Sequence, residues 1–356
     1  MLTRQRRADQ RREEAAPSYI ILGKHRVDIS DSDTSTFAEP KPLTMSLVEA
    51  SEELKKQYLE SIPHATVWEG QILPGGVTTP DKMKAMQDMV FDENDVIIVS
   101  YPKSGTTWVS EVLSAIAYEG NTEKLKQVRM DERVPWIEMD HRCWDPNSPV
   151  QASAKGPVRD GKKQIWFSHL HLDYLPPTAR AGKCKVVYVA RNPKDNAVSY
   201  FHFHRLTTFM GLQKDMKWND YFPLFCSGYI CVGNWFKHTL DYWKFTRNNP
   251  NAKFVVYEDL KKDLMGEMQS LEEFVGIPLT PEQRLEVVKH CSFDSMKDNK
   301  MTNREGLAVF DHGETKFMRK GIVGDWKNYF TVAQNEAFDE LYKSKFEGTG
   351  LSFEFE

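Results

Sequence analysis

Residues 95–120 read DVIIVSYPKSGTTWVSEVLSAIAYEG. The β-branched run at 95–101 predicts a buried strand. Pro102 to Gly105 predict a turn, and TTWVSEVLSAIAYEG predicts a helix that stops at Gly120. At such a strand–turn–helix junction the first backbone N–H groups of the helix have no internal partner, and the helix dipole favours an anion. Gly105 permits close backbone approach, Ser104, Thr106 and Thr107 add hydroxyl donors, and Lys103 adds a positive charge. Every part suits a phosphate or sulfate. A Walker A loop is excluded, because its lysine follows the last glycine and here Lys103 precedes the only one. Taken alone, the same turn also reads as an ordinary capped junction.

Outward from this segment, short apolar runs alternate with helical patterns. QIWFSHL (164–170), CKVVYVAR (184–191) and AKFVVYEDL (252–260) predict strands. NAVSYFHFHRL (196–206), GNWFKHTLDYWKF (233–245) and LTPEQRLEVVKHC (279–291) predict helices. This alternation implies one α/β domain, a central mostly parallel sheet flanked by helices, with its ligand at the carboxyl ends of the strands. The domain is expected over 46–356, after a flexible N-terminal extension over 1–45 that has few large apolar groups. SLVEASEELKKQYLESIP (46–63) predicts an amphipathic helix opened by Ser46, with Glu49 at capping-box spacing.

Composition narrows the function classes. The chain has 356 residues, with 47 basic and 51 acidic side chains and a net charge of −4. Neither nucleic acid nor an anionic membrane surface is an expected partner. The five cysteines (Cys143, Cys184, Cys226, Cys231, Cys291) include no Cys-x-x-Cys pair, which points away from a disulfide framework or structural zinc and towards a reducing, cytoplasmic setting. Five arginines lie in the first twelve residues, but no apolar segment follows them, so a secretory signal is not expected.

Three blocks, in order, carry a resemblance. Tyr101-Pro-Lys-Ser-Gly-Thr-Thr-Trp108 resembles the phosphosulfate-binding, P-loop-like loop of the cytosolic sulfotransferases. RNPKDNAVSYFHF (191–203) resembles that family's 3′-phosphate block, and RKGIVGDWK (319–327) its second nucleotide motif. The resemblance spans about 55 to 350. It implies transfer of a sulfuryl group from 3′-phosphoadenosine 5′-phosphosulfate (PAPS) to a hydroxyl or amine, leaving 3′-phosphoadenosine 5′-phosphate (PAP), with no metal.

By the same resemblance, Lys103 stabilises the leaving phosphate and His169 is the general base; His171, two residues on, is a local rival. Arg191, Ser199, Arg319, Lys320 and Gly321 hold the 3′-phosphate, and Ser199 restrains Lys103 until acceptor arrives. Trp108, Tyr257 and Phe293 suit adenine, with Cys291 standing where a threonine is usual, before Ser292. The family's usual lysine two residues before the histidine is Phe167 here, so another basic residue or Lys103 itself must carry that charge.

Trp136, Ile137, Met139 and Phe203 are expected around an apolar acceptor cavity, favouring phenols, sterols or similar alcohols. The polar stretch from Asp140 to Lys163 is a candidate mobile lid. Lys327, Thr331, Val332 and Glu336 resemble the family's small dimer contact and imply a homodimer, while Thr331 alone reads as a helix cap. Two other readings stand beside the transferase: a P-loop phosphotransferase, against which the lysine position speaks, and a nucleotide-binding protein of the same fold with weak or no transferase activity.

Overall fold

The computed structural model describes residues 43–139, 163–304, 307, 309–311, 313 and 315–356. The expected lid, apart from Lys163, and nearly all of the expected extension lie outside the described residues. Six strands are assigned among them: β1 (Thr66–Trp68), β2 (Gln71–Leu73), β3 (Asp95–Ser100), β4 (Gln164–Ser168), β5 (Lys185–Ala190) and β6 (Ala252–Val256). The first two form a small antiparallel hairpin. The other four form one parallel sheet in the order β4-β3-β5-β6.

Every residue of β3 is buried, as a strand with both faces covered requires. Its side chains alternate between two cores. Ile97 and Val99 join Trp166, Val186 and Tyr188 on one face. Val96 and Ile98 join Ile165, Phe167, Val187 and Val189 on the other. Register is fixed by this alternation, with Ile97 opposite both Trp166 and Val186. The chain leaves β3, adds β4 on one side, then returns to add β5 on the other. The carboxyl ends of β3, β4 and β5 therefore meet at a topological switch point, where open α/β sheets bind ligands.

Three expectations change in detail: the helix from Ser46, its cap and the end of the strand at 252–260. The amphipathic helix from Ser46 is two helices, Leu43–Val48 and Glu52–Glu60. The capping serine is Ser51, whose hydroxyl accepts from Leu54 N, so Ser46 lies inside the first helix rather than opening it. That first helix packs on the Trp218–Ser227 and Val332–Phe346 helices. The run at 252–260 leaves the strand at Val256, because Tyr257–Lys262 turns helical and buries Glu258 against Asn192. No helix among the described residues is long and apolar enough to cross a membrane.

Candidate active site

A cavity opens at the switch point. Its floor is the Tyr101–Gly105 loop between β3 and the Thr106–Ala117 helix. The loop turns by placing two residues in the left-handed region, Lys103 at φ 70° and Gly105 at φ 108°. A side chain on Gly105 would put its Cβ 2.8 Å from Tyr257 Cδ2, so glycine is needed for space as well as conformation. Asn196 Nδ2, from the Pro193–Leu206 helix, donates to Pro102 O and Ser104 Oγ, both at 3.0 Å. Ser104 is fully buried beneath the loop, off the cavity wall. Thr106, Thr107 and Trp108 do line it, at the N-terminus of their helix.

Four basic residues converge there. Arg191 follows β5 directly; its guanidinium lies 4.5 Å over the Tyr257 ring and donates to Ile322 O (3.1 Å) and Lys103 O (3.4 Å). Its Nε is buried without a hydrogen-bond partner. Lys103 Nζ lies 4.2 Å from the Phe317 ring centre and 4.7 Å from that of Phe203. Burial, reinforced by Arg191, Arg304 and Arg319, lowers the Lys103 ammonium to about 7. Arg319 and Lys320 both donate to Asp325 at 2.6 Å. Burial works to raise that carboxyl, but hydrogen bonds from Lys320, Asn328 and Arg319 outweigh it and hold it at about 2. Asp195 accepts from Gly324 N (2.7 Å) and Trp326 N (3.0 Å), so the second and third sequence blocks are joined directly. Ser199 lines the same cavity from the Pro193–Leu206 helix.

A flat, apolar slot lies beside these cations. Trp108 donates Nε1 to Cys291 O at 2.8 Å and meets Tyr257 edge-on at 5.4 Å. Phe293 and Gly321 close the slot; a Cβ on Gly321 (φ 64°) would lie 2.3 Å from Phe293 Cδ2. Ser292 faces away, because its hydroxyl accepts Ser295 N as the cap of the Phe293–Lys297 helix. Its expected nucleotide contact is not on the cavity wall. Cys291 is on the wall but presents its carbonyl to Trp108.

At the other end stands His169, one residue beyond β4. Its Nδ1 lies 2.8 Å from Ser100 O, and its backbone N–H donates to Glu138 Oε1 at 2.6 Å. Burial, partly offset by the Ser100 contact and reinforced by Arg304 and Lys103, lowers the imidazole to about 4. The rival His171 is off the cavity, its Nε2 bonded to Val232 O at 2.8 Å. The strand ends at Ser168, before either histidine, so strand alternation does not put the two on one face.

Trp136 stacks on Phe167 at 5.5 Å and both line the cavity with Phe203. Met139 does not: it is buried in the core beside the sheet, off the cavity wall. Leu206, Phe209, Met210 and Phe310 complete an apolar wall. Sequence reasoning missed Glu138 and Arg304. A lone glutamate and an arginine, each in a turn, carry no periodic signal. Among the described residues no group of three His, Cys, Asp or Glu is placed to hold a metal ion.

The family model for the sulfotransferase domain matches residues 93–350. The chain belongs to the sulfotransferase family. This sulfotransferase is 40% identical to Rattus norvegicus sulfotransferase 1C2 over 283 residues, covering 79% of this chain and 93% of that protein. It is 40% identical to Canis lupus familiaris sulfotransferase 1A1 over 277 residues, covering 77% and 90%. Among solved structures, its fold is similar to retinol dehydratase in a complex with retinol and PAP, with TM-score 0.72, 26% identity, and coverage of 86% of this chain and 98% of that one. It is also similar to mouse sulfotransferase SULT7A1 complexed with PAP, with TM-score 0.63, 28% identity, and coverage of 80% and 96%. The enzyme thus shares both the family domain and its α/β architecture.

Proposed function

We propose that the enzyme transfers a sulfuryl group from PAPS to a hydroxyl or amine of a small hydrophobic acceptor, such as a phenol, sterol or alcohol. One observation carries this reading: Lys103, Arg191 and His169 line one cavity at the ends of three adjacent strands, together with the Trp136, Phe167 and Phe203 rings. The residues present fit the nucleotide. Arg191 offers an unpartnered buried Nε, and Gly105 and Gly321 leave room where any side chain would collide. PAP is bound in two structural neighbours, which supports the same nucleotide here.

In this reading the phosphates are held by the first N–H groups of the Thr106–Ala117 helix, by Arg191 and Ser199, and by Arg319, Lys320 and Gly321. Trp108, Tyr257 and Phe293 take the adenine. When bound, PAPS supplies a sulfuryl group joined to a phosphate able to leave. Lys103 neutralises the charge that develops on that phosphate. His169 is neutral at physiological pH and takes the acceptor's proton as the bond to sulfur forms. Trp136 and Phe203 hold the acceptor's apolar body.

Transfer of labelled sulfate from PAPS to a panel of phenols, sterols, alcohols and amines tests this, with His169→Ala and Lys103→Ala alongside. Nucleotide binding without transfer to any acceptor would favour the second reading, a binding protein of this fold, which the Phe167 substitution motivates.

A homodimer and cytoplasmic residence belong to the same proposal. Thr331 caps the Val332–Phe346 helix in a capping box with Gln334, so the capping role is present whatever the assembly. Val332 is 76% exposed, and Lys327 and Glu336 are exposed on the same segment. An unchanged gel-filtration volume for Val332→Glu would count against the contact.

A further inference from the structure

Arg304 acts electrostatically on Lys103 and His169 but has no part in the transfer as proposed above. It follows a turn anchored at both ends: Thr302 N and Asn303 N donate to Asn299 O, and Met301 O accepts Met130 N. The turn ends with Arg304 itself in the left-handed region at φ 59°, a conformation that costs a non-glycine residue about 1 kcal/mol. The side chain lines the cavity. Its guanidinium carbon lies 5.4 Å from the Phe317 ring centre and 6.0 Å from that of Phe167. Phe317 is the ring over which Lys103 Nζ sits, at 4.2 Å, and Phe167 meets His169 edge-on at 5.5 Å. One aromatic ring therefore links Arg304 to each of the two groups proposed to act on the reacting atoms.

Arg304 has no carboxylate at ion-pair distance among the described residues, and its Nε is buried without a hydrogen-bond partner. Asp131 acts on it electrostatically, but that carboxylate is held by Arg129 at 3.1 Å. A partly buried guanidinium on the cavity wall, with its Nε unpartnered beside two phenylalanine rings, is suited to an anion that completes it. The nucleotide phosphates already have Arg191, Arg319 and Lys320. The anion still without a fixed cation is the transferring sulfuryl group.

Resting on the sulfuryl-transfer reading, we infer that Arg304 binds the sulfuryl oxygens between Lys103 and His169 and stabilises their charge during transfer. It supplies the positive charge that position 167, a phenylalanine, does not. Its electrostatic reach fits: its charge lowers the affinity of both Lys103 and His169 for protons.

The test compares Arg304→Met and Arg304→Lys with wild type in the full chain. Calorimetry gives the affinities for PAPS and PAP. Steady-state kinetics use 2-naphthol as a neutral acceptor and 4-hydroxybenzoate as an anionic one. A contact to the sulfuryl group alone predicts that Arg304→Met keeps its PAP affinity and loses about 10-fold in PAPS affinity relative to PAP. It also predicts a kcat loss of about 10-fold or more with 2-naphthol, and partial recovery of both in Arg304→Lys. Unchanged PAPS affinity, with only the KM for 4-hydroxybenzoate raised, would overturn the inference and assign the cation to an acidic acceptor. Equal losses for PAP and PAPS together with a lowered Tm would also overturn it, in favour of a structural role. Wild type that binds no PAPS would remove the transferase reading itself, and is seen before any variant is made.

Discussion

The carbonyl oxygen of Ser100 lies 2.8 Å from Nδ1 of His169. Ser100 is the last residue of the strand that feeds the phosphate loop, and His169 stands just beyond the neighbouring strand. A carbonyl can only accept, so Nδ1 carries the hydrogen and Nε2 keeps the lone pair. The parallel pairing of β3 with β4 thus selects the tautomer that a general base needs.

Removing this proposed base is expected to reach turnover and spare nucleotide binding. His169→Ala should lower kcat by roughly 10²–10⁴-fold. Its PAP affinity, read by calorimetry, should stay within about twofold of wild type, since His169 is not among the proposed nucleotide contacts. A kcat within about threefold of wild type would exclude His169 as the base.

Glu138 positions the histidine through its backbone, accepting His169 N at 2.6 Å. Burial pushes this carboxyl up to about 7, against the pull of that same N–H. Glu138→Gln keeps an acceptor and should leave Tm and kcat near wild type. Glu138→Ala leaves a buried N–H unpaired at a cost of about 1–3 kcal/mol. Thermal melts should show the loss, and kcat should fall by about 10-fold with PAP affinity retained. Equal behaviour of the two variants would refute the positioning role.

Binding of the nucleotide should take up a proton. Lys103 is lowered to about 7 by burial and three neighbouring arginines, so near pH 8 it is mostly neutral in the free protein. A bound anion favours its charged form and raises it. PAP affinity is therefore expected to be greatest below pH 7 and to fall as pH rises through the free-protein value, by up to about tenfold per unit. Calorimetry at pH 8 in buffers of different ionisation enthalpy, where the PAP phosphates are fully ionised, should show uptake approaching one proton that is lost in Lys103→Met.

The same lysine is a liability to the unliganded fold. Its ordinary value is 10.5, so between about 7 and 10.5 the unfolded chain binds more protons than the folded one. Stability of the free protein should rise with pH across that window through this group. Lys103→Met should flatten the rise and raise Tm at pH 7, each gained kcal/mol being worth roughly 2 °C at this size, while abolishing transfer. A lower Tm in this variant would contradict the account.

Gly321 is tied to its place by both conformation and space. An alanine there must hold φ 64° and displace the Phe293 ring from 2.3 Å. Strain of about 1–2 kcal/mol follows from the backbone alone. Gly321→Ala should therefore weaken PAP binding by about 10-fold or more, measured by calorimetry, with no change at the acceptor end of the cavity.

Much of this was legible along the chain because it is local. Strand β3, the turn and the following helix form one continuous segment whose period shifts from two to 3.6, so Lys103, Gly105, Thr106 and Thr107 could be read in place. Arg191 and Ser199 lie on another such junction. What sequence alone determined was the parallel α/β class and the strand–turn–helix at 95–117, since these rest on backbone preferences and spacing within a few residues; the blocks at 191–203 and 319–327 were legible only through their resemblance to a family.

Only tertiary packing decided which atoms face the cavity. Ser104 lost its place to a bond with Asn196, Ser292 to its own helix cap, His171 to Val232 and Met139 to the core. Arg304 gained one because a strained turn far along the chain aims it at Phe167 and Phe317. A side chain's direction depends on the partner that completes its hydrogen bonds and fills its space. For these residues that partner is set by long-range contacts, which propensity and periodicity do not encode.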